Sequence, residues 1–206
     1  MWKLLLDKDV IIEILKTLQR GAIGFFIGAA IGIATGTVMG IKPFIYDVAS
    51  PIINMLYSLP ALAMVPVLMV WMGLSDSMII TVAAISTFIQ TSINTATGIK
   101  NVPQGIVNSA KSMGANTLTL ISSVYLPLAT PNIFTGLRLG VEQAWKITIA
   151  TEMLIGANGL GNMLVESESL LRVDILFATI IIIGIVGYAL ERIISAIEKR
   201  YSTHVS

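Results

Sequence analysis

The chain has 206 residues, 55% of them hydrophobic and 12% charged, against about 25% charged in ordinary soluble domains. So few charges cannot cover a water-facing surface, and a mean hydropathy of +0.84 makes lipid the solvent for most of the chain. Thirteen basic and twelve acidic residues leave a net charge of +1, which gives nucleic acid no electrostatic handle.

The N-terminal nine residues hold no apolar run long enough for a signal peptide before Asp7 and Asp9 appear. Residues 1–19 read as an amphipathic segment, with Val10, Ile11, Ile14, Leu15 and Leu18 at helical spacing. Such a segment lies at the membrane interface or packs on a bundle. A spanning helix needs about 20 mostly apolar residues, and five windows within residues 20–197 qualify: about 21–41, 54–73, 77–97, 133–155 and 174–194. The expected class is therefore an all-α membrane protein with five transmembrane helices. The first window carries Gly24, Gly28, Gly32, Gly36 and Gly40 at a strict spacing of four. Small residues at this interval let a second helix approach closely in lipid, so the stripe predicts helix packing. Pro51, Pro60 and Pro66 predict kinks in the second window.

Between the third and fourth windows runs the longest connection, residues 98–131, with Lys100 and Lys111 and no acid. Its positions Ala110, Met113, Leu118, Ile121 and Val124 are apolar at helical spacing. Gly114 marks a break and Pro127 an end. Two short helices at the membrane surface would form a knob suited to docking a partner protein. The fourth window holds Arg138, Glu142, Lys146 and Glu152, which share an arc of about 120° with Trp145, Ile149 and Gly156. A charge near the bilayer centre costs about 3 kcal/mol, so this arc should avoid lipid. Glu142 and Lys146 form an i, i+4 pair. The arc reads either as a clamp between helices or as the lining of a substrate path, with Glu142, Trp145, Lys146, Ile149 and Glu152 as candidates. The connection before the fifth window is acidic (Glu166, Glu168, Asp174), whereas residues 198–206 form a basic tail with Lys199 and Arg200. The positive-inside rule puts the long connection and the C-terminus in the cytoplasm. Five spans then put the N-terminus outside, against the pull of Lys3, Lys8, Lys16 and Arg20.

Catalytic chemistry is scarce. Zero cysteines exclude disulfides, iron–sulfur clusters and thiolate zinc, and the one histidine, His204, reads as part of a solvated tail. No G-x-x-x-x-G-K-[ST] occurs, so the chain has no P-loop of its own. Neither a metal nor a cofactor is expected on it.

The run Asn108-Ser109-Ala110, then Gly114 three residues later, then Val124-Tyr125-Leu126-Pro127 resembles the E-A-A-x3-G-x9-I-x-L-P loop of permease subunits in binding-protein-dependent ABC importers. Ser109 and Val124 are conservative replacements, while Asn108 stands where the family usually has glutamate. Pro60-Ala61-Leu62-Ala63 with Pro66, Trp71 and Gly73 is similar to the second-span signature of permeases for nitrate, sulfonate and taurine. Gly136-Leu137-Arg138-Leu139, Ala144-Trp145, Glu152-Met153-Leu154 and Gly159-Leu160-Gly161 continue the likeness. The resemblance covers about residues 18–196. It implies a type I importer permease core in the cytoplasmic membrane of a prokaryote, moving a small anionic or vitamin-precursor solute. It also implies an ATPase partner that carries ATP and Mg and docks on Asn108, Ser109, Ala110, Gly114, Val124, Leu126 and Pro127. An external substrate-binding protein and a second permease copy, as a homodimer, would complete the assembly. The competing readings are a self-sufficient ion-coupled secondary transporter, with Glu142, Lys146 and Glu152 as a proton relay, and a structural membrane subunit. The first would ordinarily show an internal repeat, and none is visible in the sequence.

Overall fold

A computed structural model describes residues 8–202. The first seven residues of the N-terminal segment, and residues 203–206 of the tail with His204, lie outside them. The described residues are helical apart from short connections and contain no strand. Among the described residues four helices are long and apolar enough to cross a membrane, and a fifth crossing arises when one bent pair counts as a single span.

The first helix, α1 (Lys8–Ile41), runs unbroken for 34 residues, about 51 Å at 1.5 Å per residue. The described part of the amphipathic segment and the first window thus form one helix with no break between them. Val10, Ile14 and Leu18 pack against Trp145, Ile149, Leu160 and Ile182, so the apolar stripe of residues 10–18 continues the packed face of the span. The second window is longer and broken. Helix α2 (Pro43–Ser58) gives way to a 3-10 turn (Ala61–Met64) and then α3 (Val65–Met72), with a 97° bend between the halves. Proline explains the position of the break, because Pro60 lacks a backbone N–H and Leu59 before it is held in the extended region (φ −81°, ψ 133°).

Helix α4 (Asp76–Lys100) begins at Ser75, whose Oγ accepts from the Met78 N–H, and it is the centre of the bundle. The glycine stripe of α1 meets it rung for rung and in the same direction. Gly24 faces Ala83, Gly28 Thr87, Gly32 Thr91, Gly36 Thr95 and Gly40 Ile99. A methyl group at Gly28 would sit 2.3 Å from the Ala84 carbonyl oxygen, so the two backbones touch. On the opposite side, Gly136 and Gly140 approach Asn94, Thr91 and Thr87. They belong to α7 (Leu126–Ile155), which runs antiparallel to α4. Ridges of small residues on three helices thus interlock around Thr87 and Thr91, both fully buried.

Before α7 come α5 (Gln104–Ser112), α6 (Thr117–Leu120) and a π-helical turn (Ile121–Tyr125). The interhelical segment is therefore 101–125, shorter at both ends than the expected 98–131. Pro127 does not end a helix as its position suggested. The helix runs on from Thr117 to Ile155, and Pro127 directly follows its π-helical turn at Ile121–Tyr125, where the regular hydrogen-bond ladder is already interrupted. Beyond α7, α8 (Leu160–Ser169) leads to α9 (Val173–Ser202), which carries the fifth window into the basic tail.

Contacts fix which ends lie together. Thr17 and Arg20 of α1 meet Glu152 and the 158–161 turn, so the N-terminal part of α1 shares an end with the acidic connection. Gly40 meets Ile99, and Arg138 pairs with Glu198, which brings the C-terminal half of α9 toward the end that carries segment 101–125.

Candidate functional site

Segment 101–125 is organised by a small core of its own. Ile99, Val102, Val107, Leu120, Val124, Tyr125 and Ala129 are buried together, with Ala110, Ala115 and Ile121 packed at the margin. Helix α5 closes on Gly114 in a Schellman motif. The Ala115 N–H donates to the Ala110 carbonyl at 3.0 Å and the Gly114 N–H to the Lys111 carbonyl at 2.9 Å. Gly114 has φ +87° and open space around its α-carbon, so its glycine serves the backbone conformation and no close contact. Asn116 then caps α6, accepting the Thr119 N–H at 2.9 Å.

This geometry divides the seven candidate coupling residues. Asn108, Ser109 and Gly114 are exposed, Ala110, Leu126 and Pro127 are half-buried, and Val124 is buried. The first three form a surface, and the others hold it on the bundle. Helical spacing alone did not tell inward from outward positions. Met113 and Leu118 are 84% and 79% exposed, and with Ile106 they put apolar side chains on the outer face of the knob.

The arc on α7 is likewise split. Lys146 Nζ donates to Glu142 Oε1 at 2.5 Å on the outside of the bundle, beside a 350 Å³ groove shared with Gly187, Tyr188 and Glu191 of α9. Trp145 and Ile149 are buried, and the Trp145 indole N–H donates to the Ile183 carbonyl at 3.2 Å. Glu152, in the last turn of the helix, is fully buried. Its Oε2 accepts from the Thr17 hydroxyl at 2.8 Å and from the Gly161 N–H at 3.1 Å, and its Oε1 accepts from Arg20 Nη1 at 2.7 Å. Arg20 also reaches Asp76 Oδ1 at 2.7 Å and the Asn158 carbonyl. The five arc residues therefore occupy two environments, a surface pair and an interior group.

Thr17 and Arg20 were not singled out in the sequence. Arg20 entered only as a basic residue in the orientation tally, although an arginine between Leu18 and Gly21 on a helical stripe must either pair or distort the packing. Neutral polar residues were also passed over, because counting charges does not see them. Tyr57, Ser86, Gln90 and Gln143 come together with Leu56, Leu59, Pro60, Ala61, Met64 and Ile89 around a 240 Å³ cavity beside the break in the second span.

Residues 28–203 match the family described as binding-protein-dependent transport system inner membrane component. The chain is 33% identical to the nitrate import permease protein NrtB of Synechocystis over 94% of its own length and 70% of that protein's. It is 30% identical to the taurine transport system permease protein TauC of Escherichia coli, over 89% and 67% respectively. The fold matches a chain of the MetNI methionine ABC transporter in an inward-facing conformation, with a TM-score of 0.82 and 17% identity over 95% of this chain and 97% of that one.

Proposed function

The chain belongs to the binding-protein-dependent transport system inner membrane components, and on that footing we propose that it is the permease subunit of an ABC importer, driven by ATP hydrolysed with Mg on a partner ATPase. The observation that carries this reading is the knob on α5 and α6. It is anchored by a private core, turned by Gly114, and presents Asn108, Ser109, Met113 and Leu118 outward. An ATPase docking there would move α4 and α7 together, because the segment is continuous with both. Leucine and methionine at the tip offer a partner apolar anchors in place of the charge that Asn108 lacks.

The knob end carries Lys100, Lys111, Lys199 and Arg200, which supports a cytoplasmic knob and C-terminus. Two of the four basic residues near the N-terminus are engaged within the bundle. Arg20 is spent internally on Glu152 and Asp76, and Lys16 pairs with Glu13 at 3.0 Å. A substrate-binding protein would dock at the opposite end. A second copy of the chain would cover the α2–α3 face, where Met55, Val70 and Trp71 are 72%, 84% and 80% exposed. The names of the nitrate and taurine relatives support a small anionic solute, with a vitamin precursor as the other class.

An ion-coupled secondary transporter is disfavoured by the Glu142–Lys146–Glu152 geometry, because Glu142 and Lys146 pair with each other on the outside of the bundle while Glu152 is buried with Thr17, Arg20 and Gly161. A purely structural subunit would not need the knob. Co-purification tests the proposal: the wild-type chain should retain an ATPase in detergent, and removal of residues 104–118 should release it. Uptake by the chain alone in proteoliposomes would overturn it.

A further inference from the structure

Small side chains at Gly21, Ala22 and Ala144 leave a 140 Å³ crevice where α1, α7 and α9 meet. Gly21, Phe25, Val141, Ala144 and Trp145 form its buried floor, and Ala22, Phe26 and Ile193 its exposed rim. All three walls belong to membrane spans. Phe26 is 68% and Ile193 55% exposed, so the mouth opens outward to the bilayer. No charged side chain lines the crevice, and its one polar group, the Trp145 indole N–H, already donates to the Ile183 carbonyl at 3.2 Å. Such a lining selects its occupant. Apolar cavities of about 150 Å³ stay dry and take up apolar molecules, because water or a polar solute entering them loses hydrogen bonds that nothing replaces. Left empty, the walls forfeit their dispersion contacts. A hydrocarbon tail, the commonest apolar molecule at this depth, gives up no hydrogen bond on entering.

We infer that this crevice is an acyl-chain site, in which one tail of a membrane phospholipid inserts between α1 and α9 and packs on Trp145. With no charge on its walls the site reads no headgroup, and tails of different phospholipids compete for it on shape alone. Bulk lipid is as apolar as the crevice, so the gain is packing and not transfer from water. The bound lipid therefore exchanges with the bilayer and wedges α9 at a set distance from α1. The neighbouring groove shares Val141, Trp145 and Leu190 but carries Glu142, Lys146 and Glu191, which makes it a poor place for the same tail. Trp145 thus stands between an apolar and a charged compartment. The site requires only that these helices span a membrane, whatever the chain transports.

The chain has three tryptophans, so Trp2→Phe with Trp71→Phe in the full-length chain leaves Trp145 as the sole indole reporter. This parent is reconstituted in phosphatidylcholine vesicles whose tails carry bromine at mid-chain or none. Bromine quenches an indole only near contact, and Trp145 is 6% exposed. Brominated tails should nevertheless quench its emission by at least half, and brominated phosphatidylglycerol should do so equally. Ala22→Phe fills the crevice from its rim and should cut the quenching at least twofold, while Phe26→Ala widens the mouth and should raise it. Gly184→Leu fills the neighbouring groove, where nothing lies within 4 Å of Gly184, and should leave the quenching unchanged. Emission indifferent to bromine would overturn the site, whether the crevice is empty or closed by a second copy of the chain. Quenching that survives Ala22→Phe but is lost in Gly184→Leu would put the tail in the wrong groove, and quenching that follows headgroup charge would also refute the assignment. If Ala22→Phe fails to fold, Phe26→Ala decides alone: quenching no greater than in the parent counts against the site.

Discussion

Arg20 and Glu152, 132 residues apart in the chain, face each other at 2.7 Å with both side chains closed to solvent. Their contact ties the start of the first span to the end of the fourth, and Asp76 adds the start of α4 through the same guanidinium. Removing one partner of a buried pair leaves an uncompensated charge and costs about 3–5 kcal/mol. Glu152→Ala should therefore lower the detergent melting temperature sharply and reduce assembly. Replacing both, as Arg20→Met with Glu152→Leu, should recover a large part of that loss. A double variant no more stable than the single one would show that the pair's hydrogen bonds to Thr17 and Gly161, and not its charges, hold this end together.

The α1–α4 contact predicts a graded response to size. Gly28→Ala places a methyl group 2.3 Å from a backbone oxygen that cannot rotate away, and overpacking of this kind costs about 1–3 kcal/mol. Gly28→Leu should abolish folding in detergent. Gly184→Ala serves as the control, because nothing lies within 4 Å of that position, and it should leave thermal stability unchanged or slightly raised. Equal effects at Gly28 and Gly184 would contradict the close approach of the two helices.

Most of the bundle was legible in the sequence because membrane spans announce themselves by length and lack of charge. The glycine stripe even specified a packed face, although its partner could not be read. Thr87, Thr91 and Thr95 on α4 match the stripe at the same spacing of four, but threonine at intervals carries no signal by itself. What failed was the treatment of boundaries. Residues 8–19 carry enough charge to look like a separate segment, yet Lys16 is paired with Glu13, and Arg20 just beyond is paired with Glu152, so the helix simply continues. Pro127 looked like a stop, yet the helix runs on from Thr117 to Ile155 with a π-helical turn at Ile121–Tyr125 just before the proline, and such a turn carries no signal in sequence. The motif on the knob was readable from Gly114 and its flanks, but not which apolar residues face outward, since that depends on how α5 rolls to bury Val107 beside Leu120.

Gly114 predicts a selective defect. Its φ of +87° is costly for a β-branched residue, while the open space around it means that no steric clash contributes. Gly114→Val should leave the melting temperature of the bundle within a few degrees of wild type. It should disturb the Met113–Leu118 tip and uncouple ATP hydrolysis from uptake. Wild-type coupling ratios in this variant would show that the tip conformation is not read by the ATPase.

The α7 arc gives the last prediction. If it lined a continuous path, cysteines at Trp145, Ile149 and Glu152 would react with water-soluble thiol reagents. The structure buries all three, the first two among Val10, Leu160 and Ile182 and the third under Thr17 and Arg20. They should therefore stay inert in the nucleotide-free state. Glu142 and Lys146 are different, because they neutralise one another on the outside of the bundle at 2.5 Å. Lys146→Gln alone strands Glu142 and should reduce assembly, since an unpaired charge at this depth costs about 3 kcal/mol. Glu142→Gln with Lys146→Gln removes both charges and keeps two residues of similar length, so assembly and uptake should return to near wild-type levels. Uptake that stays abolished in a correctly assembled double variant would mean that the pair acts directly on the solute.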